Sequence, residues 1–274
     1  MRKISIKTII SILSAKFTLF LTKTILKGGT TFPGRVALKI DKNILSKISK
    51  GYKVILVTGT NGKTTTTSMI YNIIKESGHP VITNNTGANL FPGIVTTFVD
   101  SFKFGSKVKD SYAVIEVDEA NLKYITEYIT PEVITVTNLF RDQLDRYGEV
   151  YTTLNKILEG IYNVPETTLV LNGDESLLGK LDLKNPVHFY GFDKAVNDNK
   201  TIEINADAKF CKFCKTPYEY NFVTYNHLGD FYCPNCGYKR SDLMYAVTDI
   251  IDINADKSTV KFNDLEVSIN QSGT

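Results

Sequence analysis

Val54-Ile-Leu-Val-Thr-Gly-Thr-Asn-Gly-Lys-Thr-Thr65 decides the fold, because an apolar run passes without a break into a glycine-rich turn ending on Lys-Thr. A short, continuous run of aliphatic residues reads as a strand buried on both faces. The turn has the composition of a phosphate cradle. Gly59 and Gly62 let backbone N–H groups approach an anion, Lys63 reaches toward β- and γ-phosphates, and the Thr64 hydroxyl suits Mg²⁺. Thr60, Asn61 and Thr65 complete the expected nucleotide-binding set. The common spacing G-x-x-x-x-G-K-[ST] would put glycine at position 57, where Val57 stands, so the loop is a tighter variant. Downstream, Met69, Ile70, Ile73 and Ile74 recur on one face of a helix that stops at Gly78-His79-Pro80, and Val81 to Thr83 begins another strand. The plainer reading, a glycine-rich turn that binds nothing, does not account for strand, helix and lysine together.

Length and composition set the frame around this unit. A chain of 274 residues, 42% hydrophobic, can bury a sizeable core in one large domain or two modest ones. Lys plus Arg exceed Asp plus Glu by only 32 to 29, which gives no case for nucleic acid as a partner. At the N-terminus, Met1-Arg-Lys3 and the apolar run Thr8 to Ala15 imitate a signal peptide, but Lys16 interrupts it. Ile9, Leu13, Phe17, Phe20 and Leu21, with lysines at 7, 16, 23 and 27, instead predict an amphipathic helix packed on the main domain. A second reading gives its lysines and apolar face to a membrane surface. Gly28-Gly29 and Pro33-Gly34 are expected to end that segment, with a short helix following in Asp41 to Lys50.

Beyond the loop, strands and helices keep alternating: strand Tyr112 to Val117, helix Leu122 to Ile129, strand Val133 to Thr137, helix Val150 to Ile161, strand Thr168 to Asn172. This predicts an α/β fold with a doubly wound, mostly parallel sheet. Ligands of such sheets bind at the carboxyl ends of strands, where the loop, Glu116 and Asn138 all fall. Short β-ribbon strands are expected in Ile250 to Ile253, Thr259 to Phe262 and Leu265 to Ile269.

All four cysteines lie in Cys211-Lys-Phe-Cys214 and Cys233-Pro-Asn-Cys236, separated by 18 residues. Two C-x-x-C knuckles at this spacing form a closed thiolate set for Zn²⁺, structural rather than catalytic, with two disulfides as the alternative. Lys215 to Tyr232 between the knuckles carries one lysine and no arginine, which argues against a nucleic-acid surface. The expected organisation is therefore an N-terminal helical segment, 1–50, and an ATP-binding domain, 51–274, with a zinc ribbon inserted at about 206–240.

Two further stretches, Ala113-Val-Ile-Glu-Val-Asp-Glu-Ala-Asn121 and Thr135-Val-Thr-Asn-Leu-Phe-Arg-Asp-Gln-Leu-Asp-Arg-Tyr-Gly-Glu149, carry a resemblance when joined to T-G-T-N-G-K-T-T. Together they resemble the central ATPase domain of the Mur ligases, which phosphorylate a carboxylate with ATP and let an amine attack the acyl phosphate. The resemblance implies Mg²⁺ on Glu116 and Thr64, with Lys63, Glu116 and Asn138 as the catalytic set. Asp142 to Asp145 matches the family's D-H-L-D, with Gln143 in the histidine place, where a second Mg²⁺ loses its imidazole ligand. Lys156 lies near the place of the family's carbamylated lysine, and Asn172 and Asp174 near that of its adenine and ribose contacts, or in a plain turn.

Within the family, these departures, the four-cysteine ribbon and Asn84-Asn-Thr-Gly-Ala-Asn89 are similar to the MurT branch, the ligase subunits of lipid II isoglutaminyl synthase. That branch implies a heterodimer with a GatD-type glutaminase supplying ammonia, and amidation of the D-glutamate α-carboxyl of the lipid II stem. The implied location is cytoplasmic, at the inner face of the membrane. The family's C-terminal domain is expected to be absent from these 274 residues. An amino-acid-adding Mur ligase and a non-catalytic ATP-binding scaffold are the competing readings.

Overall fold

The computed structural model describes residues 5–24, 31–84, 88–105, 108, 110–141, 149–195, 200–202, 206–254 and 257–269. They fall into two compact units, the first formed by Met1–Thr137 with Tyr151–Thr168, the second by Asn138–Val150 with Leu169–Thr274.

The first unit begins with three helices, α1 (Ile6–Thr24), α2 (Thr31–Ile40) and α3 (Ile44–Ile48). An alternating βα series follows: β1 (Tyr52–Thr58), α4 (Lys63–Glu76), β2 (Val81–Thr83), α5 (Phe91–Ser101), β3 (Ser111–Glu116), α6 (Leu122–Thr126), β4 (Val133–Val136) and α7 (Glu149–Tyr162). Its strands run parallel in the order β4-β1-β3-β2. β1 is central, with Val57 opposite Glu116 and Thr58 opposite Val136. Leu56, Val57, Ala113, Val114, Ile115, Ile134 and Val136 are fully buried. Each larger aliphatic side chain contributes about 1.5–3 kcal/mol on burial, so the continuous apolar runs give the sheet its strength.

α1 is a helix, but the face it buries differs from the expected one. Thr8, Ser11, Ile12, Ala15, Leu19 and Thr22 point inward, while Leu13, Phe17 and Phe20 are exposed. Small polar residues win because they permit close approach and find partners: Ser11 Oγ donates to Ala37 O at 2.8 Å, and Thr8 Oγ1 to Asp41 Oδ2 at 2.7 Å. Pro33-Gly34 also sits inside α2 rather than ending the segment. Proline is tolerated in a first helical turn, and Gly34 lies where a Cβ would fall 1.8 Å from Pro92 O of α5. α4 is lightly packed: Met69 and Ile73, expected on its inner face, are exposed, and Thr67 is its buried residue.

The second unit contains β5 (Thr168–Asn172), β6 (Val187–Phe192), β7 (Glu219–Tyr225), β8 (Leu228–Tyr232), β9 (Tyr245–Ile253), β10 (Ser258–Phe262) and β11 (Leu265–Ile269). β5, β6 and β9 pair in parallel, and β9, β10 and β11 form an antiparallel ribbon as expected. β7 and β8 make a separate hairpin between the two cysteine pairs. Tyr218, Tyr220, Val223, Phe231 and Tyr238 form its own small core with Cys211 and Cys233.

Candidate nucleotide site and zinc ribbon

The end of β1 enters a turn that the two glycines make possible. Gly59 has φ 118° and Gly62 φ 78°, backbone conformations costly for residues with a Cβ. Gly62 is the N-cap of α4 and supplies no side-chain cap, so N–H groups of the first turn point outward with the positive end of the helix dipole behind them. The Lys63 ammonium donates to Gly59 O at 2.6 Å, Thr60 O at 3.0 Å and Glu119 Oε1 at 2.9 Å. A cation is thus held over the loop by acceptors of the kind a phosphate would supply.

Beside it, the Thr64 hydroxyl donates to Glu116 Oε2 at 2.7 Å, and Asn89 Nδ2 donates to Glu116 Oε1 at 3.1 Å. The Asn84 side chain fixes the backbone of Glu116 from both sides, accepting its N–H at 2.9 Å and donating to its carbonyl at 2.8 Å. Glu116 is buried at 7% exposure. A buried carboxylate and a hydroxyl oxygen at this separation match two adjacent positions of an octahedral, all-oxygen Mg²⁺ shell. Thr137 Oγ1 donates to Asn61 O at 2.7 Å, tying the tip of the loop to the end of β4.

The structure therefore brings together Gly59 to Thr65, Lys63, Thr64 and Glu116. Glu119, Asn84 and Asn89 join them. The two asparagines bound the stretch Asn84-Asn-Thr-Gly-Ala-Asn89, to which the sequence assigns no role at this site. For Glu119 the acidic run Glu116-Val-Asp-Glu119 was the available clue, and only the fold says which acid meets Lys63. Asn138, half-buried, opens the second unit. Asp142, Gln143, Asp145 and the stretch 85–87 lie outside the described residues. Lys156 is exposed on α7. Asp174 is not a free turn residue: buried beneath Gly191, it accepts from Arg240 Nη1 at 3.0 Å and from Phe192 N at 3.2 Å. Desolvation lifts its carboxyl to about 6, and the Arg240 charge opposes the rise.

In the second unit the four sulfurs converge. All lie within 4.8 Å of one another, with Cys211 Sγ 3.5 Å from Cys236 Sγ and Cys214 Sγ 3.4 Å from Cys233 Sγ, and none forms a disulfide. A tetrahedral shell with metal–sulfur bonds of about 2.3 Å has sulfurs about 3.8 Å apart, so the set fits a structural zinc ion. The two knuckles repeat one hydrogen-bond pattern. Lys215 N–H reaches Cys211 O at 2.9 Å and Gly237 N–H reaches Cys233 O at 3.0 Å; Cys211 N–H and Cys233 N–H answer to Thr216 O and Tyr238 O at 2.8 and 2.7 Å. Hydrogen bonds from Thr216, side chain first and backbone second, pull the Cys214 thiol down to about 5, which favours the thiolate that binds metal.

The ribbon also holds the segment that leads from Asn138. Fully buried Glu175 accepts His227 Nε2 at 2.9 Å and Leu139 N–H at 3.2 Å, and the Phe140 ring lies 4.8 Å from the His227 ring. Arg141 donates through its backbone N–H to Asp207 at 3.0 Å and pairs with the same carboxylate through its side chain.

Residues 57–237, two thirds of the chain, match the Mur ligase middle domain. The chain belongs to the Mur ligase family. Among its curated relatives, the MurT subunit of lipid II isoglutaminyl synthase (glutamine-hydrolyzing) of Streptococcus pneumoniae is 40% identical over 98% of this chain and 60% of its own length. The MurT subunit of Staphylococcus aureus strain COL is 32% identical over 90% of this chain and 57% of its own length. The chain thus spans less than two thirds of the curated relatives it matches. A pseudomurein peptide ligase type C from Methanothermus fervidus has the same fold, with a TM-score of 0.62 at 24% identity over 84% of this chain and 44% of its own. MurF ligase from Thermotoga maritima, solved with ADP, superposes with a TM-score of 0.56 at 15% identity over 86% of this chain and 45% of its own. For a Mur ligase middle domain the parallel sheet of the first unit and the loop after β1 are the expected frame, and the matched span runs through all four cysteines. Among the described residues no helix is long and apolar enough to cross a membrane.

Proposed function

We propose that this chain is the nucleotide-binding part of an ATP-dependent ligase that amidates the D-glutamate α-carboxyl of the lipid II stem to D-isoglutamine. The observation that carries the nucleotide reading is the pairing of Thr64 with buried Glu116 at 2.7 Å beside an uncapped helix N-terminus and Lys63. The MurT relatives support the acceptor, and their description as a subunit of a glutamine-hydrolyzing synthase supports a GatD-type glutaminase as ammonia source. ATP with Mg²⁺ would supply the phosphoryl group that activates the carboxylate. A carboxylate oxygen attacks the γ-phosphorus and ADP leaves; ammonia then attacks the acyl carbon and phosphate leaves. The chain's own part is positioning and charge. N–H groups of Gly59 to Thr65 cradle phosphate oxygens, Lys63 neutralises charge on the transferring group, Thr64 and Glu116 hold Mg²⁺, and Asn138 adds a polar contact. Such a ligase works in the cytoplasm at the inner membrane face. The division into a helical segment, 1–50, and an ATP-binding domain, 51–274, with a ribbon at about 206–240 belongs to the same reading.

Calorimetry with Mg²⁺ and a non-hydrolysable ATP analogue tests the site. Lys63→Ala removes a charged hydrogen-bond donor and is expected to weaken binding about a hundredfold, while Glu116→Gln weakens it only when Mg²⁺ is present. Unchanged affinity in Lys63→Ala would refute the nucleotide reading. Cys211, Cys214, Cys233 and Cys236 are proposed to hold one structural Zn²⁺. Elemental analysis should find one zinc per chain, and chelation should unfold the ribbon, as detected by exposure of Tyr218 and Tyr238 fluorescence.

A further inference from the structure

α1 is apolar on two opposite sides. At 100° per residue, Thr8, Ile12, Ala15, Leu19 and Thr22 form the line that packs inward. Ile6, Ile10, Leu13, Phe17 and Phe20 form a second line half a turn away, and they are 77%, 51%, 52%, 64% and 63% exposed. Single exposed apolar residues are ordinary, but five in register along about 21 Å of helix are not. Lysines flank this stripe, Lys7 on one side and Lys16 and Lys23 on the other, the latter two tethered to Asp100 at 3.1 and 3.0 Å. Neither α1 nor α2 contains an acidic residue.

Charge identifies the occupant. Residues 1–50 hold eleven of the chain's 32 Lys and Arg and one of its 29 Asp and Glu, a net +10 against −7 for the remaining residues. The one acid, Asp41, is buried and paired with Lys47 at 2.7 Å. The 4-3-4-3 spacing of the stripe would also suit a coiled-coil seam with a second copy. That pairing would bring two strongly basic segments together, with Asp100 of α5, already paired with Lys23, as the acid beside the stripe on each copy. An anionic lipid surface satisfies both features, accepting the apolar side chains just below the headgroups while the phosphates meet the lysines.

We propose that α1 lies flat on an anionic membrane surface, with Ile6, Ile10, Leu13, Phe17 and Phe20 as the inserted edge. This inference stands on α1 and the charge distribution, independent of the ligase reading, which the nucleotide titration tests separately.

The test is co-sedimentation of the 274-residue chain with phosphatidylcholine vesicles, with and without about one-third phosphatidylglycerol. Binding should be at least about tenfold stronger to the anionic vesicles and should fall with added salt. Phe17→Ser with Phe20→Ser should reduce it about tenfold while leaving nucleotide-analogue binding unchanged. The chain has no tryptophan, so Phe17→Trp provides a lone reporter. Its emission should shift to the blue on anionic vesicles and be quenched by brominated lipid. Equal binding to neutral vesicles, wild-type binding by the double serine variant, or an unshifted reporter would overturn the proposal. So would a dimer in light scattering that the serine variant dissociates, which would give the stripe to a second copy.

Discussion

Lys215 occupies the one backbone conformation in its knuckle that an L side chain resists. Its φ is 64°, and in the matching position of the second knuckle Gly237 has φ 70°. The fifth residue of each turn must adopt this left-handed bend so that its N–H reaches back to the first cysteine's carbonyl, and a Cβ there costs about 1 kcal/mol. Lys215→Gly is therefore expected to stabilise the zinc-loaded chain by about 0.5–1 kcal/mol, read as a higher chelator concentration or temperature at half-unfolding. A destabilised variant would show that the lysine side chain outweighs the strain. At this scale legibility followed locality. Gly62, Lys63 and the cysteines announce their chemistry through neighbours in sequence. Glu119 and Asn84 do not, since their partners lie 56 and 32 residues away.

Among the elements, α2 and α5 approach each other closely through a glycine. A Cβ on Gly34 would fall 1.8 Å from Pro92 O and 2.9 Å from Thr96 Oγ1, backbone and a short side chain with little room to yield. Gly34→Ala should gain helix propensity and still lose about 1–3 kcal/mol overall, because the helices must separate. Denaturant unfolding checks this, and a loss below about 0.5 kcal/mol would mean that the helices slide at no cost. The same crossing explains one limit of the sequence reading. Pro33-Gly34 has the composition of a break, and only its position against α5 shows that the glycine serves contact. α1 poses a related difficulty, since a helix with two apolar lines has no single periodic face to predict. The βα series was readable because its strands are continuous aliphatic runs, which parallel pairing between helices requires.

Over the whole molecule, the buried pair His227–Glu175 sets a pH dependence. Burial alone would lower the His227 pKa, but the charge and hydrogen bond of Glu175, with Asp207 beyond, raise it above its ordinary value. A group that holds its proton more tightly when folded contributes fully below its unfolded value, about 6.5, and loses that contribution as pH rises through its folded value. Thermal stability in zinc-replete buffer should therefore decline above about pH 6.5, and Glu175→Gln should flatten the slope. An unchanged slope in the variant would mean that another group titrates there. The pair has a consequence over evolutionary time as well. Losing either partner alone strands a buried donor or charge, a penalty of several kcal/mol, whereas replacing both can be close to neutral. Positions 175 and 227 should therefore drift together among descendants of this gene, and lineages that abandon the histidine should abandon the glutamate with it.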